Sequence, residues 1–164
     1  MYKRQVLGWL ENTQYSAWIR DQIWGWPLAL TLHAFGTAVT VGFIIIISLR
    51  LLGLFETIPY GSLKRLFPVF WAAVVLQFLS GFALWMAKPT QYADDVAFLL
   101  KSLLVVVGIV LAIALQGTIA READAWEQAK PAPSRATKSV VIAALVWCGV
   151  LVAGRLTAHL GSLL

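Results

Sequence analysis

The chain has 164 residues, of which 60% are apolar and only 13% are charged, with a net charge of +5. An ordinary soluble domain carries about 25% charged residues, and a small domain has too much surface to hide this much apolar side chain. A mean hydropathy of +0.77 therefore excludes a soluble enzyme, a nucleic-acid binder and a disordered tail, and the basic residues are scattered as in membrane loops.

Residues 1–26 form a leader that mixes Val6, Leu7, Trp9, Leu10, Trp18, Ile19, Ile23 and Trp24 with Lys3, Arg4, Glu11, Arg20 and Asp21. Asn12 to Ser16 reads as a break, with Ser16 able to cap the turn that follows. Two short amphipathic helices in the membrane interface are predicted. Four of the eight tryptophans, Trp9, Trp18, Trp24 and Trp26, lie here, where aromatic belts form. Simple anchoring explains them better than partner binding.

Residues 27–164 hold four apolar stretches, each near the roughly 20 residues that a span requires. They run over about 27–49, 66–87, 97–120 and 139–164. Pro27 and Pro68 fall in opening turns, where a missing N–H costs nothing. The runs are continuous, which favours helices over barrel strands. Short connections make antiparallel neighbours. The prediction is an all-α integral membrane up-down four-helix bundle with an interfacial N-terminal segment. The acids Glu122, Asp124 and Glu127 read as a solvated loop face.

Four spans put both termini on one side. The first and third loops carry Arg50, Lys64, Arg65, Arg121, Lys130, Arg135 and Lys138, seven basic residues. The opposite side carries Lys3, Arg4, Arg20 and Lys88, which is four. Positive charge favours the cytoplasm, so both termini are expected outside.

The chain has two histidines, His33 and His159, and both fall inside spans. His33 is expected roughly 9 Å into the first helix, and His159 roughly 7–8 Å from the end of the fourth. These helices run antiparallel, so the two imidazoles are expected at matching depth. A b-type haem needs one imidazole on each side of its ring and no covalent link. Gly36, one turn from His33, and Gly81, in the second span, could let a flat ring approach the backbone. Lys101 and Arg155 would compensate the haem propionates, because charges inside a span are paired or functional. The alternative for Lys101 is snorkelling to the near interface, and for Arg155 it is pairing with Asp94 or Asp95. For the histidines it is a hydrogen-bonded core pair or a proton relay. The lone Cys148 leaves no disulfide, no thiolate cluster and no C-x-x-C-H. Two histidines supply too few ligands for zinc or copper.

His33-Ala34-Phe35-Gly36, then Val41-Gly42 and Leu49-Arg50-Leu51-Leu52-Gly53, resemble the first span of an uncharacterised bacterial four-helix membrane domain. That domain is similar to the copper-resistance D and cytochrome b-type superfamily. Ser80-Gly81, Leu84-Trp85, Tyr92, Phe98, Lys101 and Leu104 continue the likeness, as do Gly154-Arg155-Leu156 and Ala158-His159. The resemblance implies a bundle in a bacterial cytoplasmic membrane that holds one haem b through His33 and His159. An electron-transfer subunit follows, acting in a homo-oligomer or a larger complex, with a redox protein or a quinone as partner. A copper or small-solute permease and a cofactor-free assembly subunit are the alternatives. Against the permease, no inverted repeat and no Gly/Pro-broken midplane helix is found.

Overall fold

The computed structural model describes residues 2–129 and 134–160, apart from the side chains of residues 129, 134, 135 and 158–160. The His159 side chain and Gly161 thus lie outside the described part of the molecule. The leader forms α1 (Tyr2–Glu11) and α2 (Gln14–Asp21). The cap between them is Thr13, whose Oγ1 accepts a bond from Ser16 N at 3.3 Å. Ser16 was expected in that role. Its hydroxyl donates instead to the carbonyl of Met86 at 2.8 Å. Arg20 Nη1 donates to the carbonyl of Ala87 at 3.3 Å.

Met86 and Ala87 end α5 (Phe67–Ala87). The last carbonyls of a helix have no donor within it, and a cation there also complements the helix dipole. The leader is therefore docked on the bundle by polar contacts, beyond simple anchoring. At its outer end Lys3 Nζ pairs with Asp94 Oδ1 at 2.9 Å. The Lys3 hydrogen bond and charge hold the Asp94 carboxyl below its usual range. Trp9, Trp18 and Trp24 stay exposed.

The first long helix is α3 (Gly25–Leu51). It ends on Gly53, at φ 93°. Leu54 N bonds Leu49 O at 2.9 Å and Gly53 N bonds Arg50 O at 3.2 Å. This paired closure needs a left-handed residue, which glycine supplies without steric cost. Arg50, expected as a free loop charge, is only 3% exposed. Its Nε donates to Ile58 O at 2.5 Å, and its guanidinium lies 3.8 Å over the Tyr60 ring. It clamps the following loop.

A short α4 (Tyr60–Lys64) leads into α5. After α6 (Pro89–Tyr92) come α7 (Val96–Ala129) and α8 (Ser134–Leu160). The segments Gly25–Leu51, Tyr60–Ala87, Val96–Gln128 and Ala136–Thr157 are long and apolar enough to cross a membrane. The fold is thus an all-α membrane bundle of a multi-pass protein. The helix α3 packs against α5 and α8, and α7 packs against α8.

The third long helix continues past Ala120 to Ala129, so Glu122, Asp124 and Glu127 lie on a helix rather than on a loop. Two of these acids have partners. Glu127 Oε2 accepts from Tyr60 N at 2.8 Å, and Asp124 Oδ1 accepts from Lys64 Nζ at 3.3 Å. The Tyr60 and Trp126 rings meet edge-on at 5.7 Å.

The bundle has two unlike halves. Towards the loop end, Phe43 lies 5.0 Å from both Phe67 and Phe70, and Phe70 lies 5.0 Å from Trp71 and 6.3 Å from Trp147. Ile44, Ile47 and Val140 complete a dry layer. Towards the terminal end the contacts are small. A Cβ on Gly36 would come 3.0 Å from Gln77 N and 3.1 Å from Ala73 O. Apolar burial drives helix association weakly in lipid, so such close backbone approach supplies the packing.

Gly36→Val therefore drives a side chain into the α5 backbone, and a loss of about 1–3 kcal/mol is expected. Gly42→Ala, where a Cβ meets nothing within 4 Å, should cost nothing. Unfolding of the detergent-solubilised protein by sodium dodecyl sulfate measures both. Equal effects at the two positions would contradict this packing.

Candidate functional site

The terminal half of the bundle holds one polar centre, to which all four long helices contribute. On α3, His33 is about 12 Å from the helix start at 1.5 Å per residue. Its Nδ1 lies 3.0 Å from the carbonyl of Gln77 and 3.3 Å from Ser80 Oγ, both on α5. A backbone carbonyl only accepts, so Nδ1 carries the proton and Nε2 carries the lone pair. The ring edge at Cε1 and Nδ1 lies against Gly81, where a Cβ would come within 2.9 Å of His33 Cε1.

From α7, Lys101 Nζ reaches to 3.3 Å from His33 Nε2. With the tautomer set by Gln77, the ammonium donates and the imidazole accepts. The lysine stem crosses Gly154 of α8, whose added Cβ would lie 3.6–3.7 Å from Cε, Cδ and Nζ. Lys101 therefore points into the bundle and does not snorkel. Two glycines, on α5 and α8, make the room in which the two side chains meet.

Not every expected residue joins this centre. Gly36 faces the α5 backbone, so its bare face is already filled. Gly81 is filled by the His33 ring itself. Arg155 is exposed and has no polar partner among the described residues. Its expected acids are engaged elsewhere. Asp94 holds Lys3, and Asp95 Oδ1 caps the start of α7, accepting from Ala97 N at 2.8 Å and Phe98 N at 3.3 Å. His159 is the penultimate residue of α8. The α8 residue beside Lys101 is Gly154, five residues and about 7–8 Å of helix earlier. The expected matching depth of the two imidazoles rests on the His159 side chain, which lies outside the described residues.

Gln77 was missed from the sequence. It is 6% exposed, and its Oε1 is buried without a partner. The sequence signal for it is a glutamine inside an apolar span. Gln116 carries the same signal, and its Oε1 accepts from Trp71 Nε1 at 2.8 Å.

The fit of a b-type haem can be read on these atoms. His33 suits it, because a ligating imidazole gives its other N–H to a carbonyl that fixes tautomer and ring direction. Lys101 suits a propionate, and its present bond occupies the Nε2 lone pair that a metal ligand would need free. Gly36 already packs on the α5 backbone, Gly81 seats the His33 ring, and Arg155 is exposed. Among the described residues, no group of three or more His, Cys, Asp or Glu is placed to hold a metal ion. The chain matches no family model, no curated protein and no solved structure, so its function is drawn from the chemistry of this centre.

The tautomer is directly testable. Nitrogen-15 spectra of labelled His33 should show a protonated Nδ1 and an unprotonated Nε2. Gly81→Val, which removes the ring's seat, should erase that preference. The opposite tautomer, or no response to Gly81→Val, would contradict the geometry.

Proposed function

We propose that the chain is a membrane electron-transfer subunit that holds one b-type haem in the terminal half of its bundle. His33, through Nε2, and His159 would hold it. The observation that carries the reading is the bond between His33 Nδ1 and the Gln77 carbonyl at 3.0 Å. It comes from a neighbouring helix, so packing of α3 on α5 fixes the direction of the ligating lone pair before any ligand arrives.

A bound haem would supply a one-electron ferric–ferrous couple. The chain's own residues would orient it and exclude water. Lys101 would supply the compensating positive charge. The dry layer of Phe43, Phe67, Phe70, Trp71 and Trp147 supports a centre reached from one face, as an electron-transfer site requires. The same layer weighs against the permease alternative, which needs a path to both faces. The resemblance to the cytochrome b-type superfamily supports the reading. The seven-to-four basic count supports termini on the periplasmic side of a bacterial cytoplasmic membrane. A redox protein or a quinone would then exchange electrons at that face.

Protein produced with haem supplied should be red and show a low-spin b-type difference spectrum on reduction. His33→Ala and His159→Ala should each abolish that spectrum. A colourless preparation would overturn the reading. A native low-spin spectrum in either variant would remove that residue as a ligand.

A further inference from the structure

An ammonium inside a membrane span is costly unless it is compensated. The ion pairs among the described residues are Lys3–Asp94, Arg20–Asp21 and Lys64–Asp124, all in the leader or at the helix ends. The acids nearest to Lys101 in the chain, Asp94 and Asp95, are committed to Lys3 and to the α7 cap. The one described partner of Lys101 is His33 Nε2, which is neutral in the tautomer that Gln77 imposes. The centre therefore carries a net positive charge, and two of the three ammonium N–H groups remain for a ligand.

We propose that Lys101, seated on Gly154 beside His33, binds the single carboxylate of an amphiphile. One negative charge complements one ammonium. Depth selects the amphiphile, because a small hydrated anion would lose its water about 7–8 Å from the start of α7. A carboxylate on an apolar body brings only its head into the centre. The amide of Gln77, in the α5 turn that holds His33, is more than nine-tenths buried with an unpartnered Oε1. Its two ends are nearly isosteric, so a half-turn would present an N–H₂ donor where Oε1 now stands. The carboxylate has two possible sources, a fatty acid of the bilayer or a haem propionate, and the second source depends on the haem reading.

The test uses the full chain in a neutral detergent, with radiolabelled laurate and dodecanol as probes. The wild type should retain laurate, and Lys101→Met should weaken that retention by about tenfold or more, which is about 1.4 kcal/mol. Lys101→Arg should restore most of it. Dodecanol should bind all three proteins alike. Far-ultraviolet circular dichroism and gel filtration confirm that each variant is folded, and Lys101→Arg keeps the test decisive should Lys101→Met fail to fold. A parallel titration compares haem with its dimethyl ester, and preference for the free acid in the wild type alone assigns the propionate as a source. If neither porphyrin binds, the haem reading fails and the laurate comparison still decides the carboxylate site. Equal retention of laurate by wild type and Lys101→Met, or laurate no better than dodecanol, overturns the proposal even if haem binds.

Discussion

An ammonium and an imidazole meeting at 3.3 Å inside an apolar bundle form the contact on which the terminal half of this molecule depends. Lipid offers no water to solvate Lys101, so the protein must provide its acceptor. His33 can serve only as the tautomer with a free Nε2 lone pair, and the Gln77 carbonyl selects that tautomer. Gly81 gives the ring its seat and Gly154 gives the lysine stem its path. Each of these residues makes sense through the others, and a larger side chain at either glycine would part the pair.

The rest of the bundle closes around that contact from two directions. Below it, interlocked aromatic rings fill the loop half with no described polar atom left over except Trp147 Nε1, which lies against Gly108. Aromatic pairs of this kind contribute about 0.5–1.5 kcal/mol each beyond area burial. Above it, the leader covers the end of α5 through Ser16 and Arg20 and abuts the start of α3. A Cβ on Gly25 would fall 2.6 Å from the carbonyls of Trp18 and Ile19. Arg50 performs the matching task at the loop end, neutralised by carbonyls and a tyrosine face instead of an acid. The outcome is an apolar half at the loop end and a polar half at the terminal end.

The four spans were legible because a bilayer demands continuous apolar length, and little else in the sequence imitates that. Pro27 and Pro68 marked opening turns correctly, although α3 begins slightly earlier, at Gly25. Facing was much less legible. These helices are apolar on all sides, so periodicity does not tell the lipid face from the packed face. Lys101 therefore read equally well as snorkelling or inward, and the fold turns it inward. Arg155, on the face expected to serve a cofactor, turns outward. The extension of α7 beyond Ala120 was hidden because its polar residues imitate a loop until Glu127 and Asp124 are seen to hold α4. Thr13 took the capping role from Ser16 because Ser16 bonds a carbonyl 70 residues away, which local sequence does not reveal.

The most direct test of this account is a double-mutant cycle on the central contact, with Lys101→Met, His33→Leu and the pair together. Unfolding of each protein by sodium dodecyl sulfate in mixed micelles gives the four free energies. The account predicts a coupling of about 0.5–3 kcal/mol, as for side chains that share one polar network. Additive single effects, with a coupling near zero, would show that Lys101 and His33 do not hold each other and would contradict the centre described here.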